Sequence, residues 1–338
     1  MENELGGNRL GIQIIGAGMY VPETIVSNED FAKIVDTSDE WITTRTGIKT
    51  RHIADGELAY QMGAKAALRA LEDANMAVEQ VDMVLVTTVT ADCLTPSLAC
   101  MIANEIGIED AICMDINAAC AGYVFALDIA KKYLDSGDLQ TVLIVSAEML
   151  TRMIDYTDRS TCVLFGDGAA ATIVKKSDSL YASCIKSSPK GAMKIYTKLP
   201  EPKHPFQTKT YSWNDEDVAK APIGMIQMAG NDVYKFATTA MPQAVELAAQ
   251  KANISLDEID LIIPHQANVR IINTAIKKLK LPPEKFYINI EEFGNISSAC
   301  IPLGLAQLKA AGRLKQGDKI CLVGFGAGLT YGAVIFEY

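Results

Sequence analysis

The sequence predicts an α/β protein built from two similar halves, each with a mixed or parallel sheet layered against helices. Two observations lead there. Runs such as VDMVLVTTV, TVLIVSA, IDLIIP and KICLVGF are continuously apolar and rich in branched residues, as strands buried on both faces are. They alternate with helical patterns such as YQMGAKAALRALEDA and YVFALDIAKKYLDSG, which places helices over the sheets.

The chain also repeats itself. ANMAVEQVDMVLVTT, from residue 74, parallels ANISLDEIDLIIPHQ, from residue 252, an offset of 178 (252 minus 74). Gly137-Asp138 before TVLIVSA parallels Gly317-Asp318 before KICLVGF at an offset of 180 (317 minus 137), and that offset sets Cys120 on Cys300. Each half then reads helix, loop, strand, long loop, helix, Gly-Asp turn, strand. The expected division is residues 1–178 and 179–338, with prolines and polar clusters making 187–222 a loop-like excursion at the start of the second half.

Composition narrows the function. Apolar residues make up 49% and charged residues 21% of 338, the proportions of an ordinary globular protein large enough for a sizeable core. No apolar run approaches the roughly 20 residues of a membrane span, and the acidic, polar start MENELGG lacks the features of a signal peptide. A cytoplasmic protein is expected. Eight scattered cysteines without a CxxC pair read as reduced thiols. The net charge of −10 argues against nucleic-acid binding.

Two glycine motifs do not suit a dinucleotide. Val21-Pro22 follows Gly16 and Gly18 where a third glycine and a helix are required, and GFGAGLTYG ends six residues before the last residue, too late for a phosphate-binding helix. The second motif does offer backbone N–H groups at a strand end, which suit an oxyanion.

Among the cysteines Cys120 stands out. It heads a helical pattern, where the dipole and free N–H groups favour the thiolate, and small neighbours Ala118, Ala119, Ala121 and Gly122 leave room for a substrate. Cys300 precedes the stiff Ile301-Pro302 and reads as structural. Of three histidines, His52 in TRHIADGE and His204 in the proline-rich loop read as surface residues. His265 directly follows IDLIIP, at the strand end where sites of open α/β folds gather. Asn295, in FGNISSACIPL, lies in the loop that mirrors the approach to Cys120, although Gly-Asn is also an ordinary turn.

The ordered motifs DEWITTRTGI, DINAACAGYVFAL, DRSTCVLFGDGAAA, MAGNDVYKFA, PHQANVRII, FGNISSACIPL and GFGAGLTYG span nearly the whole chain. In them the sequence resembles the thiolase-fold condensing enzymes, and within these the β-ketoacyl-acyl-carrier-protein synthase III family. The resemblance implies a thiolase-like αβαβα fold and a catalytic triad of Cys120, His265 and Asn295. Asparagine in third place is the pattern of initiating enzymes and plant-type polyketide synthases.

The implied reaction is a decarboxylative condensation of an acyl-CoA primer with malonyl-acyl-carrier protein through an acyl-cysteine, giving 3-oxoacyl-acyl-carrier protein, CoA and CO2. No metal or cofactor is implied, acyl-CoA being a substrate. The resemblance further implies an oxyanion hole from the backbone N–H groups of Cys120 and Ala327, the latter usually glycine. It places Trp41, Arg45, Arg159 and Asn231 at CoA, with adenine between Trp41 and Arg159. Lys235 and Arg270 fall at carrier-protein docking positions, with Lys277, Lys278 and Lys280 extending the patch, and a homodimer is implied. Thr95 falls where short-chain members place a bulky aromatic, and Ile296 replaces a usual threonine; a smaller residue at 95 suggests primers longer than acetyl. Two alternatives stay open: a starter synthase or acyltransferase of secondary metabolism, and a non-catalytic acyl-CoA binding protein.

Overall fold

A computed structural model describes residues 11–209 and 212–338. The segment MENELGG lies outside the described residues. The larger strands are β1 (Gly11–Tyr20), β2 (Met83–Thr87), β3 (Ile112–Ile116), β4 (Thr141–Met149), β5 (Asp167–Ser177), β6 (Tyr181–Ser187), β7 (Leu261–Pro264), β8 (Lys319–Gly326) and β9 (Thr330–Glu337). The helices that matter here are α1 (Asp39–Thr46), α2 (Ala59–Asp73), α3 (Leu98–Ile106), α4 (Gly122–Ser136), α5 (Gly230–Ala252), α6 (Val269–Leu279) and α7 (Cys300–Ala310).

Two mixed sheets form. The first has the order β1-β5-β4-β2-β3, and the second repeats it as β6-β9-β8-β7, with the fifth strand reduced to a single bridge between Ile262 and Phe286. The β2–β3, β2–β4 and β7–β8 pairs are parallel, whereas β1–β5, β4–β5, β8–β9 and β6–β9 are antiparallel. Helices α4 and α7 lie between the sheets, where Tyr123, Leu127, Ile301 and Leu305 join Leu85, Ile144, Leu322 and Phe336 in one buried core. Outer cores form between α2, α3 and the first sheet, and between α5, α6 and the second. The five layers are those of the thiolase fold.

The strands form where the apolar runs predict, because a strand covered on both faces has no polar side: every residue of β4 is buried. Helix α2 buries Ala59, Met62, Ala66 and Ala70, one stripe at helical spacing. Gly16 and Gly18 serve that packing, since a Cβ at either would stand 2.3 or 2.5 Å from a carbonyl oxygen of α2.

Three expectations need correction. Residues 187–222 are not all loop: a short strand at Ile195–Thr197 pairs with Ile226–Met228, and a helix spans Glu216–Lys220, capped by the Asp215 side chain. His52 is buried, not at the surface. Its Nδ1 lies 2.6 Å from the Pro22 carbonyl and its ring stacks on Phe293, because the strand Thr50–His52 turns inward despite its charges. His204 is exposed, as expected.

The third correction concerns the repeat. Met83 pairs with Val142 and Leu261 with Ile320, so the central strands β2 and β4 superpose on β7 and β8 at an offset of 178 (261 minus 83, 320 minus 142). The Gly-Asp match at 180 arises in connecting turns of unequal length. At the correct offset Cys120 corresponds to Ser298, Asn117 to Asn295, Thr87 to His265 and Glu148 to Gly326; Cys300 corresponds to Gly122. The backbone agrees: Ala119 and Ser297 share a left-handed φ of +48° and +46°, each followed three residues later by the first residue of α4 or α7.

Candidate active site

Cys120 sits in the tight turn Ala119–Ala121 that opens α4. The strained Ala119 backbone, a conformation that costs a non-glycine residue about 1 kcal/mol or more, turns the chain sharply between β3 and the helix. Cys120 itself is half-buried. The sequence leads one to expect a thiolate favoured by the helix terminus, but burial dominates and the shift is upward. Desolvation pushes the free thiol up to about 12; the Ser297 hydroxyl acts in the opposite direction, and the Glu148 carboxylate reinforces the rise.

His265 follows β7, its N–H donating to the Val323 carbonyl at 2.8 Å and so extending the pairing with β8. Gln266 clamps this turn by donating to the carbonyls of Pro264 and Tyr287. The imidazole is buried edge-on to Phe325, with ring centroids 5.3 Å apart. Burial lowers it to about 3, and Nδ1 has no partner among the described residues. A neutral imidazole at physiological pH donates a hydrogen bond rather than acting as a charged acid.

Asn295 is held by its backbone on both sides: its N–H donates to the Leu164 carbonyl and its carbonyl accepts from Gly166 N–H. Its Oδ1 accepts from Ser297 N–H at 2.8 Å, which leaves the amide NH2 as the group to offer a ligand. Ala327, where glycine is usual, has ordinary right-handed geometry; the left-handed φ of +123° falls on Gly328. The alanine therefore costs nothing in backbone strain.

Cys120, His265, Asn295 and Ala327 line one cavity of about 1150 Å³, somewhat above the usual range of roughly 300–1,000 Å³ for small-ligand pockets. Trp41, Arg45 and Arg270 also line it. Ser38 caps α1 by accepting from Trp41 N–H, and the four-residue spacing sets Arg45 on the same helix face, 4.6 Å from the Trp41 ring centre. Arg159 stands 5.2 Å from that ring and donates to the Asp36 carbonyl. A base inserted between them needs about 7 Å, twice a van der Waals contact, so to admit one the half-exposed Arg159 side chain must release Asp36 and swing outward.

Arg270, in the first turn of α6, reaches the Tyr234 ring, and Lys235 is exposed beside Tyr234. Lys278 instead donates to the Thr238 carbonyl. Asn231, Arg159 and Thr95 do not line the cavity. Asn231 is exposed one residue after Gly230, which does, and Thr95 is exposed beside Cys93 and Leu94, which do.

Two neighbours of the thiol escaped the sequence reading. Glu148 is fully buried near Cys120 and Ser298, and the Ser297 hydroxyl is buried without a hydrogen bond of good geometry. A lone acid at the end of the apolar run TVLIVSAEML was the available signal for the first. Its counterpart, Gly326, becomes evident only at the correct offset.

A cysteine on a strained turn, sharing a cavity with a neutral histidine and an asparagine from the opposite half, defines within this fold a condensing acyltransferase. Comparison makes the assignment specific. Residues 114–189 match the family described as 3-Oxoacyl-[acyl-carrier-protein (ACP)] synthase III, and residues 249–338 match its C-terminal part. The beta-ketoacyl-[acyl-carrier-protein] synthase III of Clostridium acetobutylicum is 44% identical over 329 residues, 97% of this chain and 98% of that relative. The crystal structure of 3-oxoacyl-[acyl-carrier-protein] synthase III from Aquifex aeolicus superposes with a TM-score of 0.88 at 39% identity, covering 97% of this chain and 100% of that one. The priming beta-ketosynthase of the R1128 polyketide pathway is also similar, at 33% identity and a TM-score of 0.86 over 98% and 97% of the two chains. The chain belongs to the 3-oxoacyl-acyl-carrier-protein synthase III family, the condensing enzymes that initiate fatty-acid synthesis. The starter-synthase and binding-protein alternatives are not favoured.

Proposed function

We propose that Cys120, His265 and Asn295 are the catalytic residues of this condensation. The observation that carries the assignment is their convergence on one cavity from turns after β3, after β7 and before α7. The Cys120 thiol gives up its proton and its sulfur attacks the acyl-CoA thioester carbonyl; the carbon–sulfur bond to CoA breaks, CoA leaves as its thiolate and takes up the proton that Cys120 lost, and the acyl group remains on the cysteine sulfur. Backbone N–H groups of Cys120 and Ala327 hold the tetrahedral oxyanion. Malonyl-acyl-carrier protein then loses CO2, and the electron pair of the broken bond forms an enolate. His265 and the Asn295 amide donate to its oxygen, with the lowered imidazole pKa keeping the histidine a neutral donor. The enolate carbon attacks the acyl-cysteine, a carbon–carbon bond replaces the carbon–sulfur bond, and the cysteine thiolate is released. Side chains, backbone and the two substrates supply every step, so acyl-CoA enters as substrate and no cofactor is required.

Trp41 and Arg45 hold the CoA nucleotide, with Arg159 closing over the base and Asn231 near the pantetheine. Lys235 and Arg270 receive the acidic carrier protein at the cavity rim, supported by the contact of Arg270 with Tyr234. Primers longer than acetyl fit the large cavity; Thr95 does not line the cavity of its own chain, and its small size bears on the primer only if the residue enters the acyl pocket across the homodimer. A homodimer joined through the β3 edge agrees with the exposed Ile112 and Leu94 there. The chain divides near 178 and 179, between strands of the two sheets, and its cysteines, none in a disulfide, suit the cytoplasm.

The test is direct assay of 3-oxoacyl-acyl-carrier protein from malonyl-acyl-carrier protein and acyl-CoA primers of two to ten carbons. Turnover rising from acetyl to hexanoyl and longer primers is expected. Equal or better turnover of acetyl-CoA than of hexanoyl- to decanoyl-CoA would undo the primer reading alone, and no product with any primer would undo the catalytic assignment. Sedimentation of the full chain tests the dimer.

A further inference from the structure

The turn that opens α7 copies the one that carries Cys120; Ser297 at its start lines the cavity, but Ser298, the residue in the place of Cys120, does not. Its residue equivalent to Cys120 is Ser298, and there the Glu148 carboxylate stands. Oε1 accepts from Ser298 Oγ at 2.7 Å and from Ser298 N–H at 3.4 Å; Oε2 accepts from Val89 N–H and Thr90 Oγ, both at 3.0 Å. The backbone N–H of Ser298 is the counterpart of the Cys120 N–H assigned to the oxyanion hole. A resident carboxylate thus occupies in one half the place that a substrate oxyanion takes in the other.

The strand position explains the difference. Gly326 on β8 is the counterpart of Glu148 on β4, and even a Cβ at Gly326 would stand 2.6 Å from the Cys120 nitrogen. The catalytic turn is open because its strand carries no side chain there; the second turn is filled because its strand carries a glutamate.

We propose that Glu148 is a positioning residue for the nucleophile: its carboxylate fills the second half's anion-binding turn and so holds the Asn295–Ser298 segment against Cys120. The inference rests on Cys120 being the nucleophile. Two features of the segment give the carboxylate this leverage. Ser297 N–H donates to Asn295 Oδ1, so displacement of the turn rotates the Asn295 amide. The Ser297 hydroxyl lies beside both the Cys120 thiol and the Glu148 carboxylate and lowers the pKa of each. The other titratable groups at the thiol among the described residues are Cys300, at the start of α7, and His265 across the cavity, both neutral at physiological pH; burial raises the Glu148 carboxyl, its hydrogen-bond donors favour the carboxylate, and in that ionised form it is the group whose charge the thiol senses.

The experiment compares Glu148→Gln, Glu148→Asp and Ser298→Ala with the parent enzyme, measuring melting temperature, kcat and KM for acyl-CoA, and the pH profile of Cys120 alkylation by iodoacetamide, followed on the Cys120 peptide. Glu148→Gln is expected to lower kcat by about tenfold to a hundredfold, the scale of a misplaced catalytic group, with KM nearly unchanged. Loss of the negative charge moves the alkylation midpoint to lower pH by about one unit. Glu148→Asp recovers part of kcat, and Ser298→Ala, which keeps the charge, lowers kcat with little change in the alkylation profile. Parent kcat in Glu148→Gln and Ser298→Ala, whatever their melting temperatures, would overturn the proposal; if Glu148→Gln does not fold, Ser298→Ala decides alone. Alkylation needs no substrate, so a failure of this inference is distinguishable from a parent enzyme that forms no acyl-cysteine.

Discussion

The turns that open α4 and α7 follow one backbone path, yet Cys120 in the first lines a cavity of about 1150 Å³ and its counterpart Ser298 in the second meets a buried carboxylate. Both have an alanine or serine in left-handed geometry, both have an asparagine whose side-chain oxygen accepts from an N–H two residues on, and both abut the end of a central strand. The side chains assigned to catalysis are divided between them. The first half supplies the thiol, and the second supplies His265 and Asn295, where the first has Thr87 and Asn117. A duplicated scaffold therefore supports a single site because opposite members of each pair were specialised, and the strand residue facing each turn decides which remains open.

The largest effects follow from removing the specialised members. His265→Ala and Asn295→Ala should each lower condensation by about 10²–10³-fold, the cost of one oxyanion donor, while acyl loading on Cys120 persists; equal loss of loading would show that the halves do not divide the chemistry as described. Gly326→Ala tests the open strand position. The added methyl collides with the Cys120 backbone, and acylation should fall by about a hundredfold with displacement of the nucleophile; a parent acylation rate would show that the missing side chain is not what keeps the turn open.

Smaller effects sharpen the picture at the rim. Arg45→Ala should raise KM for acyl-CoA by about tenfold, or roughly 1.4 kcal/mol, with kcat unchanged. A fall in kcat instead would place Arg45 nearer the chemistry. The pH dependence of stability gives the most local comparison. His265 binds its proton at about 6.5 when unfolded and about 3 when folded, so between these values the unfolded state holds more protons and stability falls as the pH is lowered. The slope is at most about 1.4 kcal/mol per pH unit. Buried Glu148, shifted upward, acts with the opposite sign. Denaturant titrations of the parent and His265→Asn at pH 7 and pH 5 should show the parent losing more stability; equal losses would mean that the imidazole is not held neutral.

Much of this was legible in the sequence because the evidence was local. Continuously apolar strands mark themselves, and the residues at their ends, such as His265 after IDLIIP, inherit a position on the site. What failed was register. Gly-Asp turns are interchangeable pieces of loop, and matching them displaced the comparison by two residues, which paired Cys120 with Cys300 and concealed Ser298 and Gly326. Burial of charge was equally hidden. His52 looks like a surface residue in TRHIADGE, yet it is buried, and its neighbour Arg51 is fully buried, donating to the Val163 carbonyl and Asn28 Oδ1. A thiol at a helix terminus suggests a lowered pKa, whereas desolvation by burial sets the sign.

The measurement that bears most directly on the central claim is intact-protein mass spectrometry of the full chain after incubation with acetyl-CoA or octanoyl-CoA, beside Cys120→Ala, followed by a chase with malonyl-acyl-carrier protein. The structure predicts one acyl adduct, absent from Cys120→Ala, that disappears as 3-oxoacyl-acyl-carrier protein forms. An adduct that persists in Cys120→Ala, or one that survives the chase, would contradict a condensing site built on Cys120.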